Sequence, residues 1–138
     1  MSPLEQVTVV MTLMLQLQNL LDEETEYLRA MKIERLEALQ NEKVALAEAY
    51  EIEMYRLRKE PEVLGALPIE VRQSFEDAVR TLQSASRRNA HAVEAARTVV
   101  DRIVRRLGRT LEQRRNRPSG YDSDSRGRVI SVAFNHRI

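Results

Sequence analysis

The sequence contains no cysteine, which excludes disulfide bonds, zinc–thiolate sites and a thiol nucleophile. It also lacks tryptophan, has only 4% aromatic residues, and contains just four glycines and four prolines. Leu, Ala, Glu, Gln and Arg dominate instead, a composition typical of long helices or coiled coils and not of β-sheets. Because nothing resembles a disulfide-rich secreted domain, we expect a cytoplasmic protein.

Long hydrophobic runs are also missing. The most apolar window, residues 7–21, is too short to span a bilayer and is interrupted by Thr and by amide side chains. The first residues lack the basic cluster and the small-residue cleavage site of a secretory signal. We therefore expect neither membrane insertion nor a cleaved leader.

The sequence shows no motif for catalysis or for cofactor binding. There is no phosphate-binding Gly-rich loop, no Gly-x-Ser-x-Gly and no His-Glu-x-x-His. The two histidines, His91 and His136, lie on different segments, and Glu94 is the only carboxylate near His91 on its helix face. We predict no enzyme activity, no cofactor, no metal site and no small-molecule substrate.

Hydrophobic residues recur at three- and four-residue steps over residues 3–60 and 69–116, which predicts two long helices. Ser2 and Pro3 are start signals, and two Pro and one Gly mark a connector over residues 60–68. The predicted fold is an all-α, elongated antiparallel helical hairpin, coiled-coil-like, over residues 1–117. The hydrophobic repeat slips near Met31–Glu34, where the helix either bends or breaks to give a three-helix bundle.

The first helix has apolar residues around more of its circumference than one neighbouring helix can cover. The apolar side chains of residues 4–21 spread over about 240°, whereas one neighbouring helix covers little more than about 100°. The surplus requires a third helix, a second copy, the tail of the chain or a client protein. The candidate client-binding residues here are Val7, Val10, Met11, Met14 and Leu17.

Residues 118–138 are predicted to form a flexible tail, since residues 117–128 are rich in Ser, Gly, Asp and Arg. The tail ends in an apolar segment, which suits a peptide that folds on binding. Its candidate client-binding residues are Val129, Ile130, Val132 and Phe134. In an antiparallel hairpin the second helix ends near the start of the first, so the tail can also fold back over residues 4–21.

Residues 87–117 carry ten Arg against three acidic residues. Arg102, Arg105, Arg106 and Arg109, together with Arg87, Arg88 and His91, are expected on one outward-facing side of the second helix. This stripe is either a solvated face, a site for an acidic protein or a nucleic-acid site. Nucleic acid is disfavoured because no aromatic residue is interleaved for base stacking. Within the second helix, Ser86 and Asn89 place polar groups in the apolar seam, which predicts a register-setting role or a local opening.

Several positions resemble the FlgN family of flagellar type III export chaperones. They are the acidic pair Glu23–Glu24, the Leu-x-x-Leu-x-x-x-Lys-x-x-Leu pattern, the later Asn89, and the tail residues Tyr121 and Gly127. The pattern falls on Leu36, Leu39, Lys43 and Leu46. The resemblance implies a cytosolic chaperone that keeps hook–filament junction proteins unpolymerised, pairs its C-terminal part with their terminal helices, and delivers them to the export gate and ATPase complex. It also implies that Tyr121 contacts the gate.

Two other functions fit the same residues. One is a structural coiled-coil adaptor or homodimer, whose apolar N-terminal arm is its interface. The other is a nucleic-acid binder that uses the Arg stripe, with an affinity that falls steeply with salt.

Overall fold

The computed structural model describes residues 1–114 and confirms the all-α prediction. Four helices and one 3₁₀ turn follow one another, and the described residues contain no strand. The elements are α1 (Pro3–Arg29), the 3₁₀ turn Ile33–Arg35, α2 (Leu36–Lys59), α3 (Glu62–Gly65) and α4 (Ile69–Gln113).

Helix α1 begins at the residues that the sequence marks as a start signal. The Ser2 hydroxyl accepts a hydrogen bond from the Glu5 N–H at 3.2 Å, and the Ser2 N–H donates to the Glu5 carboxylate at 3.3 Å. This reciprocal pair is a capping box, with Pro3 occupying the first helical turn. The helix start is therefore fixed by local chemistry.

Helix α1 ends after 27 residues, so the helix expected over residues 3–60 is divided. The Lys32 N–H donates to the Tyr27 carbonyl at 2.8 Å and the Met31 N–H to the Leu28 carbonyl at 3.1 Å, which is a Schellman arrangement. Met31 has φ 55°, the left-handed conformation that Gly usually occupies at this position. The slip in the hydrophobic repeat thus marks a complete break, and the chain has the three-helix arrangement.

Helices α1 and α4 run parallel to each other, with α2 antiparallel to α1. Val7, near the start of α1, shares an apolar cluster with Phe75 near the start of α4. Leu28, at the end of α1, shares a second cluster with Val93. The expectation that the last helix ends beside residues 4–21 is therefore wrong, because the break in the first arm reverses the chain once more. The end of α4 lies beyond the turn that joins α1 and α2.

The core consists of two apolar clusters, and α1 contributes to both. The first cluster comprises Val7, Val10, Met14, Leu17, Leu21, Leu57, Val63, Leu67, Phe75, Leu82 and Ala85. The second comprises Leu28, Ile33, Leu36, Ala92, Val93 and Ala96. Helix α1 packs against both α2 and α4, and these two neighbours account for its wide apolar circumference.

The connector between α2 and α4 also contributes to the core. It forms the single turn α3, and Val63 and Leu67 are buried in the first cluster. Helix α4 then starts at Ile69 after Pro68. The connector therefore closes the end of the bundle at which α1 begins.

Candidate binding surface

The apolar seam of α4 continues beyond the helix that covers it. From Phe75 to Ala96 the seam is buried against α1 and the rest of the bundle. Helix α1 ends at Arg29, and Val100 is the last α4 residue packed against the second cluster. Helix α4 continues from Val100 to Gln113, which is about 20 Å at 1.5 Å per residue. We call this part of α4 the extension.

Four apolar side chains on this extension form what we call the terminal stripe: Ile103, Val104, Leu107 and Leu111. Ile103, Val104 and Leu111 are 42%, 48% and 42% exposed, and Leu107 is half-buried. With about 100° of rotation per residue the four lie within an arc of about 100°. None of the helices in residues 1–114 covers this arc, which is as wide as the face that one partner helix buries.

The extension beyond Val100, residues 101–114, is basic. It contains five Arg against Asp101 and Glu112, a net charge of +3. Arg106 lies at one edge of the terminal stripe, and Arg109 lies on the opposite side of the helix at about 100° per residue. Asp101 lies about as far outside Val104 as Arg106 lies outside Ile103, so the two edges of the terminal stripe carry opposite charges.

Most of the N-terminal residues predicted to bind a client are core residues. Val7, Val10, Met14 and Leu17 are at most 1% exposed, and Met11 is half-buried. The prediction that they present a surplus apolar surface is corrected, because α2 is the third helix that covers them. The large apolar side chains that remain exposed on this part of α1 are those of Leu4, Val9 and Leu15.

The predicted tail residues lie outside the described residues 1–114. These are Tyr121, proposed to dock on the export gate, and the anchor residues Val129, Ile130, Val132 and Phe134. Their roles stay predictions.

The residues of the predicted Arg stripe are exposed, which agrees with an outward face. The exposed residues are Arg87, Arg88, His91, Arg102, Arg105, Arg106 and Arg109. Arg88 is engaged with the bundle, since its guanidinium donates to the Asp22 carboxylate on α1 at 3.2 Å. The remaining charge is concentrated on the extension.

A buried polar layer separates the two apolar clusters. Glu24 of α1 is 0% exposed and accepts from Lys43 Nζ at 3.1 Å, from Gln40 Nε2 at 3.0 Å and from Asn89 Nδ2 at 2.9 Å. Asn89 also donates to the Leu21 carbonyl at 3.3 Å. One carboxylate thus ties α1, α2 and α4 together at one level of the bundle.

This layer is a structural element and has no opening to a substrate. Lys43 is also 0% exposed, so the Glu24–Lys43 ion pair is removed from water. Gln40 Oε1 is a buried atom without a hydrogen-bond partner in the described residues. Such layers favour one register of helices over others, since any shift leaves the buried charge unpaired. Asn89 accordingly pins α4 to α1.

Tyr50 is a half-buried polar residue of α2. Burial raises the pKa of the Tyr50 phenol, and Arg58 nearby lowers it by a smaller amount. Within residues 1–114 no group of three or more His, Asp or Glu side chains is placed to hold a metal ion. None of the helices in this range is apolar enough over a sufficient length to cross a membrane.

The sequence pattern places Ile103, Leu107 and Leu111 in the apolar seam of the second helix, but it does not show that this part of the seam is uncovered. In the predicted hairpin the helix over residues 3–60 covers that seam. The signal that can reveal it is a length comparison: once the first arm breaks near Met31, a 27-residue α1 is too short for a 45-residue α4.

Comparisons of the chain with family models, with curated proteins and with solved structures found no match.

Proposed function

We propose that this protein is a cytoplasmic export chaperone that binds hook–filament junction proteins, keeps them unpolymerised and delivers them to the flagellar type III export gate. It acts by binding and not by catalysis. The observation that carries the proposal is the terminal stripe, an apolar helix face that the described helices leave uncovered. A chaperone that holds an assembly-prone helix needs a surface of this kind.

The location of the terminal stripe supports the proposal. The resemblance to FlgN chaperones implies that clients pair with the C-terminal part of the chaperone, and the terminal stripe lies at the C-terminal end of α4. A client helix laid along Ile103, Leu107 and Leu111 would extend the bundle by one helix. It would take the position that α1 occupies along the first part of α4.

Three of the positions that carry the resemblance meet in the buried polar layer. Glu24, Lys43 and Asn89 are three of the positions on which the resemblance depends, and they are far apart in the sequence. They meet at one carboxylate. These three positions therefore form one interacting group, as expected of buried polar residues that favour a particular helix register.

A binding measurement with purified hook–filament junction proteins tests the proposal. We expect the full chain to bind them and to slow their self-assembly. Leu107→Asp should weaken binding at least about thirtyfold, because a charge at the centre of an apolar interface removes a central anchor. Calorimetry gives the affinity, and light scattering follows the assembly of the client.

The matched control is Leu15→Asp, which makes the same substitution on the exposed part of α1. It should change the affinity less than about twofold, as is usual for a residue outside the interface. If no junction protein binds the wild-type chain, the proposed function is wrong. If Leu15→Asp and not Leu107→Asp removes binding, the client site lies on α1.

The roles of the tail are tested separately. Deletion of residues 118–138 should reduce client binding if Val129, Ile130, Val132 and Phe134 anchor the client, and it should leave the helix content of α1–α4 unchanged. Tyr121→Ala should weaken docking to the isolated export-gate protein and leave client binding intact. Full client affinity in the truncated chain would remove the tail from the mechanism.

A further inference from the structure

We propose that the turn between α1 and α2 is a hinge through which two copies of the chain exchange α1. In the exchanged dimer, residues 30–35 are helical, so that α1 and α2 form one continuous helix. The α1 of each copy then packs against α2 and α4 of the other copy. This inference goes beyond the proposed function, because it concerns the free chain and needs no client.

The turn is short and strained. Three residues, Ala30, Met31 and Lys32, lie between the end of α1 and the 3₁₀ turn, and Met31 has φ 55°. A residue with a side chain is disfavoured in this left-handed conformation, which Gly adopts freely. Short hinge loops under strain favour domain exchange, because opening the hinge removes the strain.

The residues around the turn favour a helix. Residues 28–37 read Leu-Arg-Ala-Met-Lys-Ile-Glu-Arg-Leu-Glu, and all but Ile33 are among the strongest helix formers. No Gly or Pro occurs between Pro3 and Pro61. The break is therefore imposed by packing, since Ile33 and Leu36 are buried in the second apolar cluster. Local preference and tertiary packing oppose each other at this turn.

The contacts that hold α1 in the bundle can reform between two copies. The Glu24 carboxylate bonds to Lys43 of α2 and to Asn89 of α4, and all three residues lie away from the turn. An exchanged α1 supplies the same carboxylate to the other copy, and the same apolar residues to both clusters. The contacts that change are those of the turn, such as the bond from the Lys32 N–H to the Tyr27 carbonyl. Regular helical hydrogen bonds replace them.

Helix α4 does not obstruct the exchange. Helix α1 packs against α2 and against α4, whereas α2 and α4 make few direct contacts with each other. The two neighbours therefore lie on different sides of α1. In the exchanged dimer α4 stays on its own side of the continuous helix, and its extension passes alongside the second bundle.

Sedimentation of the full chain shows whether the dimer forms. The chain is refolded from denaturant at micromolar and at millimolar concentration. We expect a monomer at the lower concentration and an additional dimer at the higher one, because association depends on concentration and closure of a single chain does not. A chain that stays monomeric at both concentrations overturns the inference.

Charge-reversed variants identify exchange as the cause of the dimer. In a closed chain Glu24→Lys brings two buried Lys together and Lys43→Glu brings two buried Glu together, so each variant alone is destabilised. In an exchanged pair of the two variants, each bundle receives one Lys and one Glu at these positions. We expect the two variants refolded together to form a heterodimer that unfolds at a higher denaturant concentration than either variant alone.

The double variant Glu24→Lys with Lys43→Glu is the control, because it shows whether the bundle accepts the reversed pair. It should fold as a closed monomer at micromolar concentration. If it folds while the mixture of single variants remains two destabilised monomers, the inference is overturned. A dimer of the wild-type chain would then arise from another surface.

Deletion of residues 30–32 tests the hinge without changing the buried polar layer, and it decides the matter if the double variant does not fold. Without these residues α2 cannot reverse direction to pack on its own α1, whereas exchange needs no turn. We expect a dimer at micromolar concentration whose helix content per residue, from circular dichroism, is at least that of the wild type. A folded monomer or an unfolded chain overturns the inference.

Met31→Gly tests whether strain at the turn favours opening. It should lower the association constant of the dimer at least about fivefold, because Gly removes the strain of the closed turn at both hinges. The matched control is Ala30→Gly, which should change the association constant less than about twofold, since Ala30 has φ −83° in the closed turn and a right-handed conformation in a helix as well. Equal effects of the two variants would overturn the role of Met31.

Discussion

The two parts of α4 share one hydrophobic repeat but have different surroundings. From Phe75 to Ala96 the seam is core, while the terminal stripe from Ile103 to Leu111 is surface. The difference does not arise within α4, because apolar residues continue at the same helical spacing. It arises from α1, which stops after 27 residues and leaves the rest of the seam uncovered. A helical repeat therefore identifies the apolar face, and the length of the neighbour decides whether that face is buried.

The covered part of α4 differs in a second way, since it contributes Asn89 to the buried polar layer. This layer fixes how α1 and α4 are aligned, because Asn89 donates to both the Glu24 carboxylate and the Leu21 carbonyl. The alignment in turn sets how much of α4 projects beyond Arg29. The buried layer therefore helps to determine how much of the seam is left uncovered by α1.

The largest effect is expected from Glu24→Leu, because it removes the central acceptor of the buried polar layer in the covered part of the bundle. Removing the carboxylate leaves Lys43 buried without its partner, and the free energy of unfolding should fall by about 3–5 kcal/mol. Chemical denaturation followed by circular dichroism measures the loss. The same substitution also deprives Gln40 and Asn89 of an acceptor.

The control for this prediction is the double variant Glu24→Leu with Lys43→Met, which replaces the ion pair with apolar groups. It should recover most of the stability, since buried ion pairs are often no better than well-packed apolar residues of similar size. A double variant as unstable as the sum of the two single variants would show that the pair is not coupled.

A smaller effect is expected from matched truncations of the seam itself. Leu82→Ala in the covered part should lower the free energy of unfolding by about 2–4 kcal/mol, because it opens a cavity in the core. Leu111→Ala in the extension should change it by less than about 0.5 kcal/mol, since the side chain is already exposed. Equal losses of unfolding free energy in the two variants would mean that another part of the chain, or a second copy, packs against the extension in the absence of a client.

The sequence was sufficient for the fold class and for the course of α4, because the apolar repeat is regular and Pro68 marks the helix start. It was not sufficient for the topology. No Gly or Pro occurs between Pro3 and Pro61, so the break at Met31 had only the slip in the repeat as a signal. Side-chain pattern alone does not reveal which residue takes a left-handed conformation when the usual Gly is absent.

The same limitation explains the incorrect candidate site. The surplus of apolar residues at positions 4–21 was real, but the sequence could not show whether it was covered by the protein itself. The covering helix is α2, which exists as a separate element only because of the break. Once Val7 and Met14 are assigned to the core, the uncovered apolar surface moves to the terminal stripe.

The smallest effect is expected at the break that sets the length of α1. Met31 has φ 55°, a conformation that a residue with a side chain adopts at a cost and that Gly adopts freely. Met31→Gly should therefore raise the free energy of unfolding by up to about 1 kcal/mol, the strain relief being partly offset by the greater backbone freedom of Gly in the unfolded chain. The matched control is Ala30→Gly one residue earlier, at φ −83°, which should lower the free energy of unfolding by about 0.5–1 kcal/mol. Opposite signs in thermal unfolding of the two variants support a Schellman end at Met31. A loss in both would indicate that the Met31 side chain contributes more than its backbone strain costs.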